Sequence, residues 1–307
     1  MTRLKLALAS AVSVAALSTA AAAEPIKIAL NEWTGQHISA QITGALFREL
    51  GHEVEFITAG AVPQFAAIAD GSIDLNPEIW TNNVGDIYPN AVEAGDIIVV
   101  GQLGLEPREG WLYPPYMEDL CPGLPAYDAL YDCAQAFAAA DTFPDGRLIT
   151  YPADWGTRSS DLVDAIDLPF KPVPGGSEGA MMAELTSAIA AEQPILMMMW
   201  APHWVHAEVD TNWVEWDSAS AECDEGNQSR GEACGFQQAS VEKITSSGFA
   251  DAYPDAMAVL TTMSISNDIQ NALILEVDQN NREVEEVVAE WMAANTDMWQ
   301  PWIDAAN

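Results

Sequence analysis

The chain has 307 residues, 49% of them hydrophobic, which is enough to build the cores of two ordinary domains and excludes a disordered chain. Its 11 Lys and Arg against 46 Asp and Glu give a formal net charge of −35, so nucleic acid and anionic membrane surfaces make poor partners. A surface this acidic would draw a cationic ligand, although it reads first as an adaptation of solubility to salty surroundings.

Residues 1–23 carry Arg3 and Lys5, then an apolar stretch from Leu6 to Leu17, then Ala21-Ala22-Ala23. That is the order of a cleaved secretory signal peptide. No later segment has the roughly 18 uninterrupted apolar residues of a transmembrane helix. The mature chain is therefore expected in the periplasm, without direct membrane insertion.

After the signal, Pro25 to Leu30 reads as a strand and Asn31 to Gly35 as the turn after it. Ile38, Ile42, Leu46 and Leu50 then recur at helical spacing, and Gly51 marks the stop. The cadence repeats with a strand at Val54 to Thr58, a helix at Pro63 to Ala69, and a short strand at Ile73 to Leu75 that leads into Asn76-Pro77-Glu78-Ile79-Trp80. Strands alternating with helices at this spacing predict right-handed βαβ units and a parallel sheet.

Residues 104–125, dense in Gly and Pro, read as a crossover between domains. Beyond them come a strand at Leu148 to Tyr151, the turn Pro152 to Thr157, and helices at Ser159 to Ile166 and Ser177 to Ala191, with Ser177 as N-cap. Ile195 to Met199 is a continuous apolar run between Pro194 and Pro202, the pattern of a buried strand. Residues 217–240 look like a surface insertion, and the segment from Asn267 reads as helix with Val284, Val287, Val288 and Trp291 on one face.

Export gives the cysteines a meaning. Cys121 with Cys133 and Cys223 with Cys234 is the simplest of three possible disulfide pairings in an oxidising compartment. The rival, a zinc site, lacks CxxC spacing and matched histidines. His203 and His206, three apart with no third ligand in view, read as structural. The acidic run Asp224-Glu225-Gly226-Asn227 lacks EF-hand spacing and reads as a solvated loop. No metal or cofactor is expected.

Eleven tryptophans are many for this length, and four of them, Trp33, Trp80, Trp155 and Trp200, each follow a predicted strand directly. Carboxyl ends of strands in α/β sheets are where ligands bind, so these turns would converge on a cleft between two lobes, with Trp111 at the crossover able to join them. A single tryptophan is more often a packing residue, and Trp213, Trp216, Trp291, Trp299 and Trp302 fit that role. Several rings together can enclose a trimethylammonium head, which each face attracts by about 0.5–2 kcal/mol.

The motifs Glu78-Ile79-Trp80-Thr81, Ala153-Asp154-Trp155-Gly156-Thr157 and Trp200-Ala201-Pro202-His203-Trp204-Val205 resemble, in order and spacing, the substrate-binding proteins of osmoprotectant ABC importers of the glycine betaine/proline type. The resemblance spans nearly all of the mature chain. It implies an α/β, two-lobed periplasmic binding protein fold, with residues 24–108 and 258–307 in the first lobe and 109–257 in the second. It also implies that Trp80, Trp155 and Trp200 wall the site. Trp33 matches a box tryptophan of choline-type members, and Trp111 falls where those members place an aromatic. Choline-type members carry an aspartate two residues on, where this chain has Gly35.

A betaine carboxylate needs donors, and the candidates near the motifs are Arg108, Arg158, His203 and the backbone N–H groups of Gly156 and Thr157. Trimethylamine N-oxide needs only one, with Glu109, protonated, close by. Both ligands stay open, glycine betaine slightly ahead as the commoner ligand of the resembled family. The expected partners are that small molecule, an ABC permease and its ATPase subunit, around a monomer that is not an enzyme. The alternative is an exported sugar-binding protein or glycosidase that stacks sugars on the same tryptophans.

Overall fold

The computed structural model describes residues 24–82, 84–216, 235–236 and 239–306. In chain order its strands are β1 (Ile26–Leu30), β2 (Val54–Thr58), β3 (Leu75–Trp80), β4 (Ile97–Gln102), β5 (Arg108–Tyr113), β6 (Pro122–Pro125), β7 (Gly146–Thr150), β8 (Phe170–Pro174), β9 (Met197–Ala201), β10 (Asn212–Trp213) and β11 (Val241–Ser246). Ten of them form two five-stranded sheets, in the orders β2-β1-β3-β11-β4 and β10-β5-β9-β7-β8. Taken from its other edge, the second order matches the first. Each sheet has three parallel strands, then one antiparallel strand, then an outer strand antiparallel to that one. The antiparallel member, β5 or β11, is in each case the strand by which the chain arrives from the other lobe.

Helices cover both sheets. The helix Thr34–Glu49 (α1) is buried on nearly every side: Gln36, donating to the Ala29 carbonyl of β1, and Gly44, against Val54 and Phe56 of β2, face the sheet, and Ile38, Ile42 and Leu46 are fully buried, so the four-residue apolar spacing becomes packing. Its outer side meets two C-terminal helices, Asn267–Asp278 and Val284–Ala294. In the second lobe Ser177 caps the helix Glu178–Ala190, its hydroxyl accepting the Ala180 N–H. Cys121 and Cys133 are joined as expected, while Cys223 and Cys234, the acidic run 224–227 and the signal segment lie outside the described residues. Among the described residues no helix is long and apolar enough to cross a membrane.

Three departures from the sequence reading bear on the site. β3 begins where the expected strand ended, because Asn76 and Glu78 are buried strand residues satisfied by hydrogen bonds, not turn residues. The supposed crossover at 104–125 contains β5, in which Gly110 packs closely on Trp213: a Cβ there would lie 3.1 Å from the ring. The chain also returns to the first sheet at Val241, before the expected residue 258, since β11 is hydrogen-bonded between β3 and β4. Glu242 and Lys243 disguise that strand. The Lys243 ammonium is buried and donates to the carbonyl of Met263.

Candidate functional site

The parallel strands of both sheets end at the gap between the lobes, and the common plan puts tryptophans at matching places. Trp33, extended at the N-cap of α1, follows β1, and Trp155 follows the equivalent β7. Trp80 ends β3, and Trp200 lies next to the end of the equivalent β9, one residue inside the strand that was expected to stop before it. The four indoles line one cavity, together with Tyr151, Phe65, Gln64, Glu78 and Glu109. Trp33 meets Trp155 edge to face at 5.3 Å between ring centroids, and Trp155 meets Trp200 at 5.7 Å. Tyr151 packs against both Trp155 and Trp200.

Two carboxylates lie among these rings. Glu78, fully buried, accepts the indole N–H groups of Trp33 at 2.9 Å and Trp80 at 3.0 Å on one oxygen. Its other oxygen accepts from Ser39 at 2.6 Å and Gln270 at 2.7 Å. Glu109 stands directly across the β5–β9 ladder from Trp200, which is why both reach the cavity. It accepts the Tyr151 hydroxyl at 2.6 Å, the Asn82 amide, and the Arg158 guanidinium at 3.3 Å. Burial, reinforced by the Glu109 charge, holds the Tyr151 phenol well above its ordinary pKa, so Tyr151 is a neutral donor.

Trp111, Gly156, Thr157 and His203 are not among the cavity's described lining residues. Trp111 shares the face of β5 that carries Glu109, but two residues further from the cleft. There it is fully buried, donates to Ser159 and packs on Trp216 and Phe236. Gly156 and Thr157 lead into the helix Arg158–Ala165, whose first residue lies behind Glu109. Arg108 stacks on Trp213 at 4.5 Å.

His203 lies behind Trp200, 5.2 Å between ring centroids, and its Nε2 is 3.1 Å from Glu178. Asp278 completes a group whose potential ligand atoms all lie within 4.8 Å of one another. The hydrogen bonds argue against a metal there. His203 Nδ1 accepts the Val205 N–H at 3.2 Å, which leaves the ring proton on Nε2, donated to Glu178.

The same acids tie the lobes together. Glu178 of the second lobe accepts the backbone N–H of Thr34 in the first at 2.8 Å. Asp278, from the first lobe's C-terminal helices, accepts the Thr34 hydroxyl at 2.8 Å and the Trp204 indole of the second lobe at 3.0 Å. Burial, and then the neighbouring Glu178 charge, raise the Asp278 pKa. Trp155 also reaches across, donating to Glu32 at 3.3 Å. The lobes are thus clasped over the cavity.

Glu78, Tyr151 and Gln64 were missed in the sequence. Glu78 was within sight, two residues before Trp80 in a motif that a period-2 reading extends into the strand, which turns both residues to one face. Tyr151 was the last residue of an expected strand and carried no further signal.

Residues 24–294 match the family model described as the substrate binding domain of the ABC-type glycine betaine transport system. The chain is 27% identical over 301 residues to the trimethylamine N-oxide-binding protein of Pelagibacter ubique (strain HTCC1062), covering 95% of each. Among solved structures, it resembles lactococcal OpuAC in its closed form with glycine betaine, with a TM-score of 0.73 and 19% identity, covering 91% of this chain and 99% of that one. The glycine betaine/L-proline-binding protein of Borrelia burgdorferi gives a TM-score of 0.76 at 18% identity, covering 92% and 100%. A choline-binding protein in complex with choline gives 0.76 at 15%, covering 91% of each chain. At such identities the likeness is one of fold, the two-lobed periplasmic binding protein fold.

Proposed function

The chain belongs to the family of substrate-binding domains of ABC-type glycine betaine transport systems, and on that premise we propose that it is the periplasmic receptor of an ABC importer, capturing a methylated ammonium compound between its lobes. The observation that carries this reading is the enclosure of one cavity by four indoles drawn from both sheets. Each ring face contributes about 0.5–2 kcal/mol toward a desolvated cation. Four rings, with the apolar burial of methyl groups, account for micromolar binding, which needs about −8 kcal/mol. The same family match favours transport over the sugar-stacking alternative.

The lining ranks the ligands. Among the described lining residues there is no Lys, Arg or His, and two of the polar ones are carboxylates. A betaine carboxylate would face like charge. Trimethylamine N-oxide has a single oxygen to satisfy, and the Tyr151 hydroxyl, now given to Glu109, is a donor at the right wall. We therefore put trimethylamine N-oxide ahead of glycine betaine, the reverse of the order suggested by family frequency; the name of the 27% identical relative supports this reading. The ligand would then pass to a permease and its ATPase subunit, with the receptor acting as a monomer.

Calorimetric titration of the mature protein tests the reading. Trimethylamine N-oxide should bind at micromolar levels and more tightly than glycine betaine or carnitine, with choline titrated beside them. If none of the four gives heat or perturbs tryptophan emission at millimolar concentration, the proposal is wrong.

A further inference from the structure

Most carboxylates among the described residues are exposed; Glu78 is not. It lies on β3 with no exposed surface, yet it is part of the cavity wall. Burying a carboxylate is costly unless its oxygens are paired. Here every contact is one in which Glu78 accepts, from Trp33, Trp80, Ser39 and Gln270, and the Asn76 side chain in turn accepts the Glu78 backbone N–H at 2.8 Å. Both first-lobe indoles point their N–H groups at the same oxygen. Such a fork sets the angle of two rings with one group.

The arrangement has an electrostatic side. A hydrogen bond from an indole N–H to a carboxylate pushes electron density into the ring, so the face that meets a cation becomes more negative. The full charge of Glu78 adds to this in a site from which water is excluded, where charges act more strongly than in solvent. In the second lobe Glu109 also lines the cavity, but the Arg158 guanidinium lies 3.3 Å from it and offsets its charge, whereas Glu78 is held by neutral donors; Trp155 donates to Glu32, at 3.3 Å. The first lobe is therefore the more negative wall.

We infer that Glu78 is the specificity-determining counter-charge of the box, orienting the Trp33 and Trp80 indoles and directing the positive methylated head of the ligand toward the first lobe. The inference rests on the reading of the box as a methylated ammonium site. A ligand with a net positive charge feels Glu78 in full. A dipolar ligand such as trimethylamine N-oxide feels an attraction at nitrogen that is offset at oxygen.

The test compares tetramethylammonium with trimethylamine N-oxide on wild-type protein, Glu78→Gln and Glu78→Asp. In Glu78→Gln the affinity for tetramethylammonium should fall by about tenfold or more, and that for trimethylamine N-oxide by about threefold or less. Glu78→Asp keeps the charge but is one methylene short of the indoles, so it should weaken both ligands while holding their ratio near wild type. Thermal melts establish that each variant is folded; should the Gln variant unfold, the ratio measured on Glu78→Asp decides alone. An equal loss for both ligands in Glu78→Gln, or a changed ratio in Glu78→Asp, overturns the role assigned to Glu78. Wild-type protein that binds neither probe overturns the reading of the box, and this inference with it.

Discussion

Trp33 and Trp155, one from each lobe, meet edge to face with ring centroids 5.3 Å apart. This contact exists only while the lobes are together, so the two rings report and reward closure at once. Replacing either by Ala should weaken trimethylamine N-oxide binding by roughly 2- to 30-fold, the value of one cation–π face. Trp111→Phe should instead leave affinity within about twofold and lower stability by about 1 kcal/mol through its lost bond to Ser159. Calorimetry and thermal melts on the same preparations check both.

The clasp should be separable from the box. Glu178→Ala takes from the Thr34 N–H its acceptor in the other lobe. Closure should then become less favourable, and apparent affinity should fall by about tenfold, since a ligand that needs the closed form is charged for populating it. Small-angle scattering at saturating ligand should still reach the compact form. Unchanged affinity would assign these contacts to packing alone.

His206 supplies the pH dependence. It is half-buried, its Nε2 lies 2.8 Å from the Trp200 carbonyl, and its ring packs on Trp213. Burial, which outweighs that hydrogen bond, lowers its pKa below the ordinary 6.5. With the folded value lower than the unfolded one, the unfolded chain holds the extra proton between the two. Stability from this group is therefore complete above about pH 6.5 and is lost as pH falls through the folded pKa. Melting temperatures should drop more steeply from pH 7 to pH 5 in wild type than in His206→Gln.

The Cys121–Cys133 bridge spans a separation of 12 residues, and neither cysteine lines the cavity. Changing both to Ser should cost about 2–3 kcal/mol by releasing the unfolded chain. Ligand affinity should stay within about twofold, as read by denaturant melts and titration.

Much of the fold was legible because its signals are local. The strands β1 and β2 and the helix α1 follow from apolar spacing and stop residues, and the four strand-end tryptophans stand where βα order predicts. What could not be read came from tertiary pairing. β11 carries Glu242 and Lys243, whose polarity hides a strand that only its neighbours β3 and β4 make possible. Trp111 reads like a box residue because sequence gives its face but not its depth. Glu78 and Tyr151 became visible only when their partners, far apart in the chain, were brought beside them.

The two sheets follow one plan, and each gives two of the four indoles. Neither half alone can surround a guest, so a molecule resting on one lobe keeps water on its far side. Full dehydration of the guest and the mating of the lobes are one event. Whether the cleft is filled is thus written in the outline of the protein.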